Sequence, residues 1–176
     1  MNRLHHDCDD THSPAVAPMT RSFALPDEAA TAALGAALAR NLPRDGRLRV
    51  YLLGDLGAGK TTLVRAMLRA LGYTGAVRSP TYTLVELHVV SGLHFYHFDF
   101  YRFTSPEEFL EAGLDEYFDE AAICLLEWPQ RAAPFVPAAD IEISLEIQEN
   151  TRRATLRAAS LTGSECLASL HLPPTP

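Results

Sequence analysis

The chain has 176 residues, 47% of them hydrophobic and 21% charged, which is one domain's worth of sequence with enough apolar side chain for a core and excludes a wholly disordered protein. Its formal charge is 15 − 22 = −7, a poor balance for gripping nucleic acid, because that affinity comes largely from neutralising phosphates. No apolar run approaches the ~18 residues of a membrane span and none near the N-terminus resembles a signal-peptide core, so the expectation is a cytoplasmic protein with no membrane partner.

Residues 1–20 lack apolar periodicity and are expected to be a disordered tail, with Met19 as the true start. His5, His6, Cys8 and His12 fall here at a spacing that matches no defined metal site. Arg21 to Leu25 reads as a short edge strand. Pro26, Asp27 and Glu28 then start a helix whose apolar positions are Ala30, Leu34, Ala37 and Leu38, ended by Pro43. Leu48 to Leu53 reads as a buried strand that stops at Gly54. Lys60 to Leu71 reads as a helix closed by Gly72. Thr83 to Val90 and Leu93 to Phe98 flank Ser91-Gly92, a hairpin signal. Ser105 and Pro106 begin a further helix. Ala121 to Leu126 is an unbroken apolar run, the mark of a strand covered on both faces. Ile141 to Ile147 and Arg153 to Ala158 alternate and pair around Glu149-Asn150. The expectation is an α/β fold over residues 21–160, a single three-layer P-loop NTPase-like domain with a mixed, mainly parallel central sheet and a C-terminal β-hairpin. Residues 161–176 are read as a C-terminal tail.

Between the second strand and the second helix lies Gly54-Asp55-Leu56-Gly57-Ala58-Gly59-Lys60-Thr61, which fits GxxxxGK[ST] in its required strand-to-helix context. Glycines let such a loop turn its N–H groups onto phosphate oxygens, and the helix N-terminus adds the positive end of its dipole. Lys60 is placed to reach the β- and γ-phosphates, Thr61 to offer its hydroxyl to Mg²⁺, and Thr62 to bond the α-phosphate. With ten Gly, one Lys and 22 Ser plus Thr, the pattern is expected by chance in about 4 of 10,000 such chains. Lys60 is also the sole lysine among 15 basic residues.

A phosphate loop needs a second metal anchor and a group that orients the attacking water. Two acids end predicted strands, where ligands of such sheets gather. Asp99 follows Leu93-His94-Phe95-Tyr96-His97-Phe98, and Glu127 follows Ile123-Cys124-Leu125-Leu126. Either serves, and the division of roles between them stays open at this point. His97 shares a face with Asp99 and could orient it or simply pack. Trp128 is the only tryptophan and reads either as a packing residue or as a wall beside the nucleotide. Cys124 reads as a small core residue, and the three cysteines, Cys8, Cys124 and Cys166, contain no CxxC pair and are read as reduced thiols. A GTPase is disfavoured because its guanine motif needs a second lysine, and a kinase because no arginine-rich lid lies between 100 and 135.

Four separated motifs, LGDLGAGKTT (53–62), SPTYTLVE (79–86), HFDFYR (97–102) and CLLEWPQR (124–131), resemble those of the TsaE (YjeE) family over about residues 23–158. The resemblance implies an ATPase of the bacterial machinery that makes threonylcarbamoyladenosine in tRNA. By the same resemblance, Asp55, Leu56, Gly57, Ala58, Gly59, Lys60, Thr61 and Thr62 hold ATP phosphates, with Thr61 on Mg²⁺. The 79–83 loop is implied to be switch-like, with Thr81 near the γ-phosphate, Asp99 and Glu127 catalytic or metal-binding, and Trp128 beside the nucleotide. An arginine of the C-terminal hairpin approaches the adenine side, Arg152 aligning best and Arg153 adjacent. The partners implied are TsaB and TsaD, with tRNA touched only through that complex and ATP hydrolysis resetting it.

Overall fold

The computed structural model describes residues 19–172. The tail expectation for residues 1–20 lies outside the described residues except at its end, where the Met19 carbonyl accepts from the Ala158 N–H at 2.9 Å and Thr20 opens the first strand; the histidine expectation lies wholly outside them. Eleven elements carry the fold: β1 (Thr20–Leu25), α1 (Glu28–Arg40), β2 (Leu48–Leu53), α2 (Lys60–Ala70), β3 (Val85–Val90), β4 (Leu93–Asp99), α3 (Glu108–Glu111), β5 (Ile123–Glu127), β6 (Ile141–Gln148), β7 (Thr151–Ala158) and α4 (Leu161–Ala168). The seven strands form one mixed sheet in the order β1-β7-β6-β2-β5-β4-β3. The four strands β6, β2, β5 and β4 run parallel, and antiparallel pairs flank them on both sides. β6 and β7 make the expected hairpin.

Local signals explain most boundaries. The Ala30 N–H donates to the Asp27 carboxylate at 2.7 Å, capping α1. Residues of β2, β5 and β6 alternate between the two faces of the sheet. On one face Val50, Leu52, Ile123, Leu125, Ile141 and Ile143 meet Leu34 and Leu38 of α1 and Leu63, Val64, Met67 and Leu68 of α2. On the other, Phe98, Cys124 and Leu126 meet an aromatic-rich layer of Phe100, Phe103, Phe109 and Leu114. The sheet is thus the middle of three layers, and β5 is buried at every residue.

Two expectations change. Residues 161–168, read as tail, form α4, which Ser160 caps by accepting from the Gly163 N–H at 3.1 Å. Cys166, Leu167 and Leu170 pack into the α1–α2 side of the core, so the domain extends past residue 160. Periodicity was hidden there because only a few apolar residues of this short helix face inward. The helix expected from Ser105 is only Glu108–Glu111, because the Glu108 carboxylate accepts from the Thr104 and Ser105 N–H groups (2.7 and 3.0 Å) and Gly113 takes a left-handed φ of 64° just beyond.

α1 and α2 approach closely at Gly35. A Cβ there would sit 2.5 Å from the Ala66 Cβ and 2.9 Å from the Met67 backbone N. In an open helix Gly→Ala gains about 0.5–1 kcal/mol. Here Gly35→Ala is expected to lower stability by about 1–3 kcal/mol through overpacking, read as a lower urea midpoint at unchanged m-value. Burial also raises the Cys124 and Cys166 thiols to about 12 and about 11. In a Cys8→Ser background at pH 8, both thiols should stay unreacted toward a disulfide reagent until the protein is unfolded.

Candidate functional site: a phosphate-loop cleft

Gly54 to Gly59 leave the C-terminal end of β2 and deliver the chain to the first turn of α2. Gly57 and Gly59 hold φ of 80° and 107°, left-handed values that other residues adopt only at a cost. A Cβ at Gly57 would meet nothing within 4 Å, so the loop is open on the side where a ligand would lie. A cleft of about 280 Å³ sits there, and twelve residues line it. Of those expected at the site, Leu56, Gly57, Gly59, Lys60, Thr61, Thr62, Thr81, Asp99, Glu127 and Trp128 do so. Two do not. The Ala58 side chain is buried in the core and its N–H donates to the Asp55 carbonyl at 3.1 Å. Asp55 enters only through its carbonyl, which accepts from Lys60.

Lys60 is only 4% exposed. Its ammonium donates to the carbonyls of Gly54 (2.7 Å) and Asp55 (2.9 Å) and lies 4.2 Å from the centre of the Trp128 ring. Burial pushes its pKa below the ordinary lysine value, and the charges of Glu127, Asp99 and Asp55 oppose that shift. Trp128 reaches it because residue 128 takes a left-handed φ of 60° straight after β5. The Tyr101 ring packs against Trp128 at 5.1 Å, with the Arg131 guanidinium 5.5 Å from Tyr101 and 5.9 Å from Trp128.

Both acids sit at the same edge. β4 and β5 are parallel with Asp99 opposite Glu127, and β5 pairs with β2 so that Glu127 is opposite Leu52, two residues before Gly54. Glu127 Oε1 accepts from the Thr61 hydroxyl at 2.7 Å and contacts His97 Nε2 at 2.9 Å. Asp99 Oδ1 accepts from the Tyr101 N–H at 2.8 Å. Its Oδ2 accepts from the Thr81 hydroxyl at 2.8 Å and from the Ser79 hydroxyl. The structure therefore gives His97 a different partner from the one its strand spacing suggests. Residues two apart on a strand lie ~6.6 Å apart along one face, whereas the neighbouring strand brings Glu127 within hydrogen-bond distance.

Arg152 lies outside the lining but beside the loop, its guanidinium 3.5 Å from the Gly57 carbonyl and its Nε 3.6 Å from where a Gly59 Cβ would be. Arg153 points the other way, since Arg152 shares its face with the buried Ala154 and Leu156. Sequence reasoning did not single out Ser79, Tyr101 or Arg131. Each stands inside a motif already noted, but only the fold shows that their side chains meet Asp99 or Trp128.

Comparison with known proteins places the chain in a family. Residues 25–155 match the family model described as threonylcarbamoyl adenosine biosynthesis protein TsaE. The tRNA threonylcarbamoyladenosine biosynthesis protein TsaE of Haemophilus influenzae is 40% identical over 148 residues, covering 82% of this chain and 94% of that one. The proteins of the same name from Nostoc sp. and Bacillus subtilis are each 34% identical, covering 86% and 75% of this chain and 93% and 70% of theirs. The crystal structure of Bacillus subtilis YdiB superimposes with a TM-score of 0.73 at 26% identity, covering 89% of this chain and 97% of that one. This chain therefore belongs to the TsaE family, whose role lies in tRNA threonylcarbamoyladenosine biosynthesis.

Proposed function

We propose that the protein is a Mg²⁺-dependent ATPase that acts in the cytoplasm, hydrolysing ATP to reset a TsaB–TsaD complex between rounds of tRNA modification. The observation that carries this reading is the meeting of Lys60, Thr61, Asp99 and Glu127 at one mouth of the phosphate loop. The donor set fits the implied groups. Lys60 is a buried cation held only by two carbonyls and a ring face, so phosphate oxygens would replace weak partners with strongly charged ones. Thr61, Glu127 and Asp99 offer oxygen alone, the choice of Mg²⁺. Among the described residues no three His, Cys, Asp or Glu side chains cluster in a metal-holding arrangement.

When bound, Mg²⁺ would neutralise charge developing on the phosphate oxygens. The protein's own groups then divide the work. Glu127 is the metal-side acid, because it already touches the Thr61 hydroxyl and its other oxygen accepts nothing from the chain among the described residues. Asp99 has both oxygens engaged, and ties the 79–81 loop to the cleft. Lys60 orients phosphate, and Trp128 and Tyr101 wall the pocket against water. Arg152 stands at the loop on the sheet face that carries α2, in keeping with a nucleotide contact. The net charge of −7 agrees with a module that reaches tRNA only through partners.

Adding TsaB–TsaD to the purified protein should stimulate Mg-ATP hydrolysis, and Lys60→Ala should lower that activity by about 10²–10³-fold. Hydrolysis by Lys60→Ala at the wild-type rate would exclude the phosphate-loop reading. Glu127→Ala should abolish the gain in ATP affinity that Mg²⁺ provides while leaving metal-free nucleotide affinity intact, as measured by calorimetry. An unchanged Mg²⁺ dependence would move the metal role away from Glu127.

A further inference from the structure

We infer that His97 is a positioning residue for Glu127, holding one carboxylate oxygen so that the other stays turned to the cleft when Thr61 engages a cation. The inference rests on the Mg-ATP reading above.

Three observations carry it. First, Glu127 Oε1 has two neighbours from the chain, Thr61 at 2.7 Å and His97 at 2.9 Å. A cation on Thr61 would take a lone pair of the hydroxyl oxygen and leave its hydrogen on Oε1, so His97 is the second donor that fixes this oxygen and leaves the other one turned to the cleft. An ionised carboxylate only accepts, so Nε2 carries the hydrogen and donates. Second, His97 is fully buried and Nε2 makes its only hydrogen bond, because Nδ1 is buried without a partner among the described residues. That one bond to Glu127 is what the imidazole offers and a phenylalanine in the same space would not. Third, the ring is backed rather than free. His88, also fully buried and with neither nitrogen hydrogen-bonded among the described residues, lies 6.4 Å away, and Tyr73 meets His88 edge-on at 5.0 Å. His97 therefore has a wall behind it and a single polar contact in front of it. Partners that orient metal-binding groups commonly act this way, and their loss costs ~10–100-fold in metal affinity or activity.

The test compares His97→Phe, which fills the ring's space without a donor, with His97→Gln, whose amide N–H falls near the position of Nε2. Calorimetry measures ATP affinity with and without Mg²⁺, and steady-state assays with TsaB–TsaD separate kcat from KM. His97→Phe should lose ~10–100-fold of the Mg²⁺-dependent affinity gain and of kcat, with metal-free affinity and melting temperature near wild type. His97→Gln should recover most of both. A His97→Phe protein with wild-type Mg²⁺ dependence, or a His97→Gln protein as impaired as His97→Phe, would overturn the assignment. Should His97→Phe fail to fold, His97→Asn takes its place, its amide too short to reach Oε1, and the same two outcomes decide. A wild type that binds no Mg-ATP would remove the ATPase reading and this inference together, whereas the results above remove only the inference.

Discussion

The register of three parallel strands governs everything at this site. Leu52 of β2 lies opposite Glu127 of β5, and Glu127 lies opposite Asp99 of β4. The three strands therefore finish level, and the segments leaving them share one edge: the glycine loop, Trp128 and the Tyr101 turn. A one-residue slip would turn each side chain of a strand to the opposite face. Glu127 would then point into the aromatic layer rather than toward Thr61. The slip is costly because it would bury the Glu127 carboxylate unpaired in that layer, whereas in register Ile123 and Leu125 join the α1–α2 core and Cys124 and Leu126 the other.

On that edge the electrostatics are arranged around a single buried cation. Lys60 has little water and no direct carboxylate partner, and its charge is sustained by three acids nearby. Its contacts with the Gly54 and Asp55 carbonyls and the Trp128 face satisfy it without committing it. Glu127 and Asp99, though opposite each other, use different partners. Glu127 faces Thr61 and His97, while Asp99 collects the hydroxyls of the 79–81 loop and the Tyr101 amide. Two acids in register thus reach two different neighbourhoods, one on α2 and one on the loop before β3. This separation underlies the different roles proposed for them.

The family relationship and the charge of the chain point the same way. The proteins it matches are named for tRNA threonylcarbamoyladenosine biosynthesis, yet the chain is acidic and its solitary lysine is buried. Its cleft offers one buried lysine, hydroxyls and two carboxylates rather than a basic groove. No helix among the described residues is long and apolar enough to cross a membrane.

Much of this was legible in the residues alone. The GxxxxGK[ST] loop announces itself because its glycines, lysine and threonine are contiguous, and local chemistry suffices to define such a turn. The strands β2, β5, β6 and β7 are readable because burial imposes period or continuity on a handful of residues. The two acids could be placed at strand ends for the same reason. What the residues could not show were distances between elements far apart in sequence. That His97 meets Glu127 rather than Asp99, and that Ser79 reaches Asp99, depends on strand order and register, which are non-local. The helix at Leu161–Ala168 escaped notice because its inward residues gain meaning only from the core they enter. The sequence by itself determined the loop, the strands and the candidate acids, since these are set by neighbouring residues. Only the tertiary structure decided which side chains touch, because that is set by the pairing of strands 30 residues apart in the chain, as for His97 and Glu127.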